Sequence, residues 1–277
     1  MNYVELNITV ESTEQGEIAM ALLSDFPFES FTQNSATSLK AYIPQEALSE
    51  CKDDIDMLIE QWGGGRYIML EDENWNSVWE SNYPSVEVGT ELRIRAPFHP
   101  ADPSFNQEVV IMPKMSFGTG HHSTTYLVCQ ALTSMHLDGF KLLDVGCGTG
   151  VLAIVALKYG AQSAVAIDID NWSIEACEEC VEMNGVADRV EIIHGDITAA
   201  EQHIECYDMV IANINRNIIL SQISQYALTL KRGGDMLLSG FFTEDVDAII
   251  AAAEPLSLSR VSVESRQGWA MLHLRKA

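Results

Sequence analysis

Seven residues, Asp144-Val145-Gly146-Cys147-Gly148-Thr149-Gly150, constrain the fold of this 277-residue chain more than any other stretch. They follow the apolar pair Leu142-Leu143 and precede a helical pattern that opens near Leu152. A buried strand that turns through alternating glycines into a helix belongs to an open α/β sheet whose ligand lies at the carboxyl ends of its strands. The C-terminal part repeats this alternation. Ala164-Val165-Ala166-Ile167, Val190-Glu191-Ile192-Ile193, Met209-Val210-Ile211 and Asp235-Met236-Leu237-Leu238-Ser239 are β-rich runs, most of them separated by helical segments. Residues 109–277 are therefore expected to form a mostly parallel sheet with helices on both faces.

The N-terminal part alternates faster. Tyr3 to Val10 places apolar side chains at every second position, and Ser12 to Leu23 spaces Ile18, Ala19, Leu22 and Leu23 as a helix does. Two strands are expected over 28–33 and 38–43, around the turn-rich Asn34-Ser35-Ala36-Thr37. A helix over 46–61 is stopped by Gly63-Gly64-Gly65, and a last strand covers 66–70. The order β-α-β-β-α-β is that of ferredoxin-like domains. The expected class is α/β: a Rossmann-like domain at 109–277 and an N-terminal α+β ferredoxin-like (βαββαβ) domain at 1–80 that reads as a recognition module. Residues 81–108, rich in Pro and Gly turns, are expected to connect the two, with a short strand at 91–95.

Charge narrows the partners. The chain has 16 basic and 40 acidic residues, a net of −24. Residues 1–100 carry −13 of it and residues 101–277 carry −11, so the front is the more acidic per residue. Nucleic-acid binders need clustered Lys and Arg, so direct nucleic-acid binding is not expected, whereas a basic partner would be steered in. The same acidity also serves plain solubility. No run of eighteen apolar residues lacks charges and no basic leader precedes an apolar run, so neither a membrane span nor a secretory signal is expected. Six scattered cysteines in such a chain read as reduced thiols of a cytoplasmic protein. The Cys177-Glu178-Glu179-Cys180 pair lies in a helical run without a second pair at zinc spacing, which points to packing rather than metal.

The glycine loop itself discriminates among ligands. A dinucleotide fingerprint would place Gly or Ala at position 151, which is Val151, and no Gly-Lys-Ser/Thr follows to cradle phosphate. An acidic residue ahead of GxGxG resembles the opening of methyltransferases that use S-adenosylmethionine (AdoMet), a phosphate-free, cationic ligand. Asp144, Gly146, Gly148 and Gly150 are thus candidate cofactor residues. Asp168 ends the second strand eighteen residues after Gly150, where a carboxylate can accept both ribose hydroxyls, or else cap the next helix. Asp196 follows the third strand where an adenine would lie, or is an ordinary turn residue. Asn213 ends the fourth strand; its side-chain oxygen and the next carbonyl can accept hydrogen bonds from an amine, or it makes a loop turn.

Ile111-Met112-Pro113-Lys114-Met115-Ser116-Phe117-Gly118-Thr119-Gly120-His121-His122-Ser123-Thr124-Thr125 resembles the FGTGxHxTT segment of the PrmA family, the methyltransferases of ribosomal protein L11. The 144–150 loop, Ala166-Ile167-Asp168-Ile169-Asp170 and Ala212-Asn213-Ile214 stand in that family's order, and Glu73-Asn74-Trp75 with Trp79 is similar to its acidic-Asn-Trp…Trp segment. The resemblance implies AdoMet-dependent N-methylation of lysine or N-terminal amines of a basic ribosomal protein, with the N-terminal domain gripping the substrate. By position it assigns Thr125, Gly146, Asp168 and Asn213 to AdoMet, Phe117 to closure over it, and Asn213 also to the amine. One departure, Asn171 where the family commonly has Pro, still suits a helix start. Another basic protein, or a small molecule, is the alternative substrate, and a monomer is the expected state. The adjacent His121-His122 cannot both face one metal from a regular element, so a loop covering AdoMet is the expected role.

Overall fold

The computed structural model describes residues 3–70, 83–113, 118–200 and 203–277, the side chains of Asn34 and Leu70 excepted. They cluster into two units, Met1–Tyr83 and Pro84–Ala277. In the smaller unit, β1 (Tyr3–Thr9) turns Val4, Leu6 and Ile8 into the core. Helix α1 (Thr13–Leu23) starts where the Ser12 hydroxyl accepts the Gln15 N–H at 3.2 Å, a cap worth about 1 kcal/mol. β2 (Ser30–Ser35), β3 (Ser38–Pro44), α2 (Gln45–Ile59) and β4 (Gly65–Leu70) complete the expected β-α-β-β-α-β order. The sheet runs β2-β3-β1-β4 with every pair antiparallel. Ala19, Leu23, Leu48, Ile55 and Ile59 of the helices close over its inner face. On the other face Glu5 is buried, held by Lys40 Nζ at 3.0 Å and Asn7 Nδ2 at 2.7 Å.

The larger unit opens with a small sheet, β5 (Val86–Val88), β6 (Leu92–Arg95) and β7 (Gln107–Val110). Of the segment 81–108, residues from Pro84 onward thus belong to this unit and carry β5 and β6. Next come α3 (Ser123–Ser134), β8 (Lys141–Val145), α4 (Val151–Lys158), β9 (Ser163–Asp168), α5 (Asn171–Met183), β10 (Val190–His194) and β11 (Tyr207–Asn213). The chain ends with α6 (Arg216–Thr229), β12 (Leu230–Phe242), α7 (Val246–Ala253), β13 (Leu258–Arg266) and β14 (Trp269–Lys276). The main sheet has the order β10-β9-β8-β11-β12-β14-β13. Its first five strands pair in parallel and the last two join antiparallel.

Both faces of that sheet are covered, which is why its strands read as unbroken apolar runs. Leu142, Ala164, Ala166, Met209, Ile211 and Leu237 pack on the side of α3, α4 and α5. Their chain neighbours Leu143, Ile167, Val210, Ala212, Met236 and Leu238 pack on the side of α6 and α7. Cys177 and Cys180 are fully buried on α5, and all six cysteines are free thiols. No helix among the described residues is long and apolar enough to cross a membrane.

The antiparallel pair β13 and β14 has no counterpart in the sequence expectations. β13 is an edge strand exposed along most of its length, so no clean alternation marks it. β14 is locked to β12 by the buried Asp235, whose Oδ1 accepts from His273 Nε2 at 2.7 Å and from the half-exposed Arg275 Nε at 2.9 Å. Burial pushes the Asp235 carboxyl up, but these two donors outweigh it and hold it below its ordinary value.

Beneath the glycine loop, β8 contributes Asp144, 1% exposed. Its Oδ2 accepts the Ala153 N–H at 3.3 Å, capping α4 from below, while Oδ1 has no partner. Burial drives the carboxyl up to about 7, with the Ala153 N–H pulling against it and the Asp168 charge adding to it. The folded chain therefore holds this proton more tightly than the unfolded chain does. The resulting stability is present below about pH 4 and is lost as pH rises through the folded value, a change on the order of 4 kcal/mol. Asp144→Asn removes this titration. Melting temperatures followed from about pH 5 to about pH 9 should fall for the native chain relative to the variant, and two parallel curves would refute the assignment.

Candidate active site

Strand order places the site. From β8 the chain crosses to β9 on one side, and β11 lies against β8 on the other, so the crevice above β8 is where the order reverses. The loop after β8 fills its floor. Gly146, Gly148 and Gly150 all have positive φ, 72°, 55° and 73°. A Cβ on Gly146 would collide with Ile214 Cγ2 from the loop after β11. The backbone is anchored from behind, where Gly146 and Cys147 donate N–H groups to Ile167 O at 2.8 and 3.1 Å. Gly150 supplies no side-chain cap to α4, whose Ala153 N–H is taken by Asp144 from below.

Asp168 stands at the end of β9, paired in register with His194 of β10. Its Oδ2 accepts the Gly148 N–H at 2.9 Å and its Oδ1 the Asp170 N–H at 3.0 Å. Each oxygen keeps a lone pair for a ligand hydroxyl. Asp168 is not the cap of α5: that is the next carboxylate, Asp170, which accepts from Trp172 N at 3.0 Å. Asp196 comes to the same end of the sheet after β10 but is exposed. Its Oδ1 folds back onto Thr198, accepting from the backbone N–H at 2.9 Å and from the hydroxyl. Those bonds, hydroxyl first, hold its carboxyl below the usual range.

Across the crevice, Asn213 ends β11, half-buried, and its Nδ2 donates to Thr125 Oγ1 at 3.3 Å. That bond turns Oδ1 of the amide away from Thr125. Thr125 is buried in the first turn of α3. The structure thus brings Asp144, the three glycines, Asp168, Asn213 and Thr125 around one crevice, with Asp196 on its rim. Phe117, and Glu73-Asn74-Trp75 with Trp79, lie outside the described residues.

Several contacts around the crevice go beyond what the sequence assigns. Thr149 Oγ1 donates to Gly118 O at 2.7 Å, stitching the 118–125 segment to the glycine loop. His122 caps α3 through Nδ1, which accepts the Thr124 N–H at 3.3 Å. Its ring meets Trp269 edge-on at 4.5 Å, and Trp269 in turn lies 4.2 Å from Phe242. Ser123 Oγ donates to Gln267 Oε1 at 2.7 Å, tying the helix to the turn between β13 and β14. His121 Nε2 lies 3.0 Å from Pro84 O. Gly240, φ 96°, lets β12 pass directly against the backbone of Ile214, whose O, C and N crowd the place of a Cβ. Thr149 and the 121–123 run stand inside recognisable segments, but their partners Gln267 and Trp269 belong to the β13–β14 pair that the sequence does not announce.

Two carboxylates, an open amide oxygen and glycine backbone, with no Lys or Arg in the loop, fit AdoMet. Such a donor set suits hydroxyls and positive charge, and it repels phosphate. The unpartnered Oδ1 of buried Asp144 adds negative potential beneath the loop once that group ionises.

Comparison with known proteins agrees with this geometry. A family model described as ribosomal protein L11 methyltransferase (PrmA) matches residues 3–277. A ribosomal protein L11 methyltransferase of Porphyromonas gingivalis is 43% identical over 266 residues, covering 92% of this chain and 89% of the relative. One of Bacteroides fragilis is 37% identical over 281 residues, covering 98% of each. A crystal structure of ribosomal protein L11 methylase from Lactobacillus delbrueckii subsp. bulgaricus superposes with a TM-score of 0.65 at 27% identity, over 70% of this chain and all of that one. The chain belongs to the ribosomal protein L11 methyltransferase (PrmA) family.

Proposed function

We propose that this chain transfers methyl groups from AdoMet to amine nitrogens of ribosomal protein L11, on lysine side chains or the N-terminal amine. The N-terminal ferredoxin-like unit grips the substrate in this reading, and reduced cysteines and a ribosomal substrate suit the cytoplasm. The observation that carries it is the opposition, across β8, of a loop-anchored Asp168 and an Asn213 whose amide oxygen is left open by Thr125. Family membership supports the substrate class.

When bound, AdoMet supplies an electrophilic methyl group. Asp168 accepts from the ribose hydroxyls, and the backbone of Gly146, Gly148 and Gly150 lies against the rest of the ligand over Asp144. Asp196 presents its remaining oxygen at the adenine end, and Phe117 closes over the ligand. Asn213 Oδ1 and Ile214 O accept the N–H groups of the substrate amine and point its lone pair inward. Thr125 positions Asn213. A lysine amine with a pKa of about 10.4 is neutral in roughly one molecule per thousand at pH 7. Partial burial beside Asn213 favours that neutral form. Alignment is then the main contribution of the protein, and no strong base is needed.

Purified L11 incubated with AdoMet should gain mass in whole methyl-group steps. Asp168→Asn keeps the shape but loses charge-assisted bonds, so AdoMet affinity measured by calorimetry should drop roughly 10- to 100-fold. Asn213→Ala should lower kcat about 100-fold at saturating AdoMet; full activity there would remove its assigned role. The acidic front, −13 over residues 1–100, should make association with a Lys-rich substrate slow markedly as salt rises. Stopped-flow rates independent of ionic strength would contradict that.

A further inference from the structure

Four of the 16 basic residues of this strongly acidic chain meet at one place, at the opposite end of α4 from the glycine loop. Arg93 and Arg95 extend from β6 to Glu108 on β7, with N···O distances of 3.1 Å each. Glu108 Oε1 also accepts the Asp102 N–H at 3.1 Å. Arg93 donates further to Pro100 O at 2.9 Å and Arg95 to His99 O at 3.0 Å. Arg189 caps the end of α4, its Nη1 lying 3.4 Å from both Leu157 O and Ala161 O. The end of α5 is closed in the same way by Asn184, whose Nδ2 donates to Cys180 O at 2.8 Å and to Val110 O. Each of these polar groups is therefore committed.

Lys158 is the exception. It is the last residue of α4 and half-buried, and its ammonium makes no hydrogen bond or ion pair among the described residues. Burial first, then the charges of Arg189 and Arg95, outweigh Glu108 and lower its pKa from the ordinary lysine value. Four cations against the carboxylates of Glu108 and Asp102 leave two positive charges uncompensated. Beside them opens a cavity of about 390 Å³, lined on its polar side by Arg95, Lys158, Asp102 and Glu108 and on its apolar side by Phe105 and Met183.

An ammonium held among guanidiniums with no partner raises the free energy of the fold, and a negative group in the cavity would offset it. We propose that this cavity binds a small organic oxyanion, its charged oxygens on Lys158 Nζ and its apolar body against Phe105 and Met183. The eight residues of α4, roughly 12 Å long, separate this site from the methyl-transfer crevice, so the proposal does not rest on the proposed activity.

Thermal melts and calorimetry of the full chain with phenyl phosphate, benzoate and inorganic phosphate test it. Phenyl phosphate or benzoate should raise the melting temperature in proportion to concentration and bind more tightly than inorganic phosphate. Lys158→Met should weaken that binding about tenfold or more, and Lys158→Arg should retain it. Without ligand, Lys158→Met should melt no lower than the native chain, because it removes an uncompensated charge; this also shows that the variant folds. Which of the two organic anions binds better tells a phosphate source from a carboxylate source. Equal response of the native chain and Lys158→Met, no response at millimolar concentration, or inorganic phosphate matching phenyl phosphate would overturn the proposal.

Discussion

The hydrogen bond from Gly148 N–H to Asp168 Oδ2, 2.9 Å long, joins the loop after β8 to the end of β9, and the rest of the crevice depends on it. A bond of this charge-assisted kind is worth about 1.5–3 kcal/mol, more than a neutral one. It can form only if the loop backbone turns through the left-handed region, which is why glycine recurs there. The other oxygen of the same carboxylate takes the Asp170 N–H, and Asp170 caps α5 through Trp172 N. One side chain thus fixes the loop, the strand end and the start of the next helix before any ligand arrives. The counterpart across β8 is lighter: a single amide-to-hydroxyl contact between Asn213 and Thr125 sets the orientation of the acceptor.

Much of this was legible in the residues because the two larger sheets bury their strands in recognisable ways. One-sided burial gives β1 its period of two, and two-sided burial gives β8, β9 and β11 their solid apolar runs. Glycines and acidic strand ends mark the ligand crevice because few other residue types can do that work. What stayed hidden depends on pairing between distant segments. The edge strand β13 has no inner face to pattern, and the lock of β14 on β12 needs Asp235, His273 and Arg275 to be brought together. The neighbours Trp269, Phe242 and Gln267 inherit that invisibility. Asp196 could be placed at the rim from sequence, but its folding back onto Thr198 is a local turn property that spacing alone does not distinguish.

Charge is unevenly distributed along the chain. Acidic side chains dominate the N-terminal unit and the ligand crevice, consistent with a cationic ligand and a basic substrate approaching from solution. Near the far end of α4, Arg93 and Arg95 hold β6 against β7 and Arg189 holds a helix end. Lys158, beside them, holds no such bond among the described residues.

Gly240 has a consequence for how this chain tolerates change. It sits behind the loop after β11, and the backbone of Ile214 occupies the space where its side chain would grow. Those atoms are main chain and have no rotamer to escape into. Any substitution there would push the Asn213-Ile214 corner out of line, so an allele at position 240 would look, in a genetic screen, like a lesion in Asn213 itself.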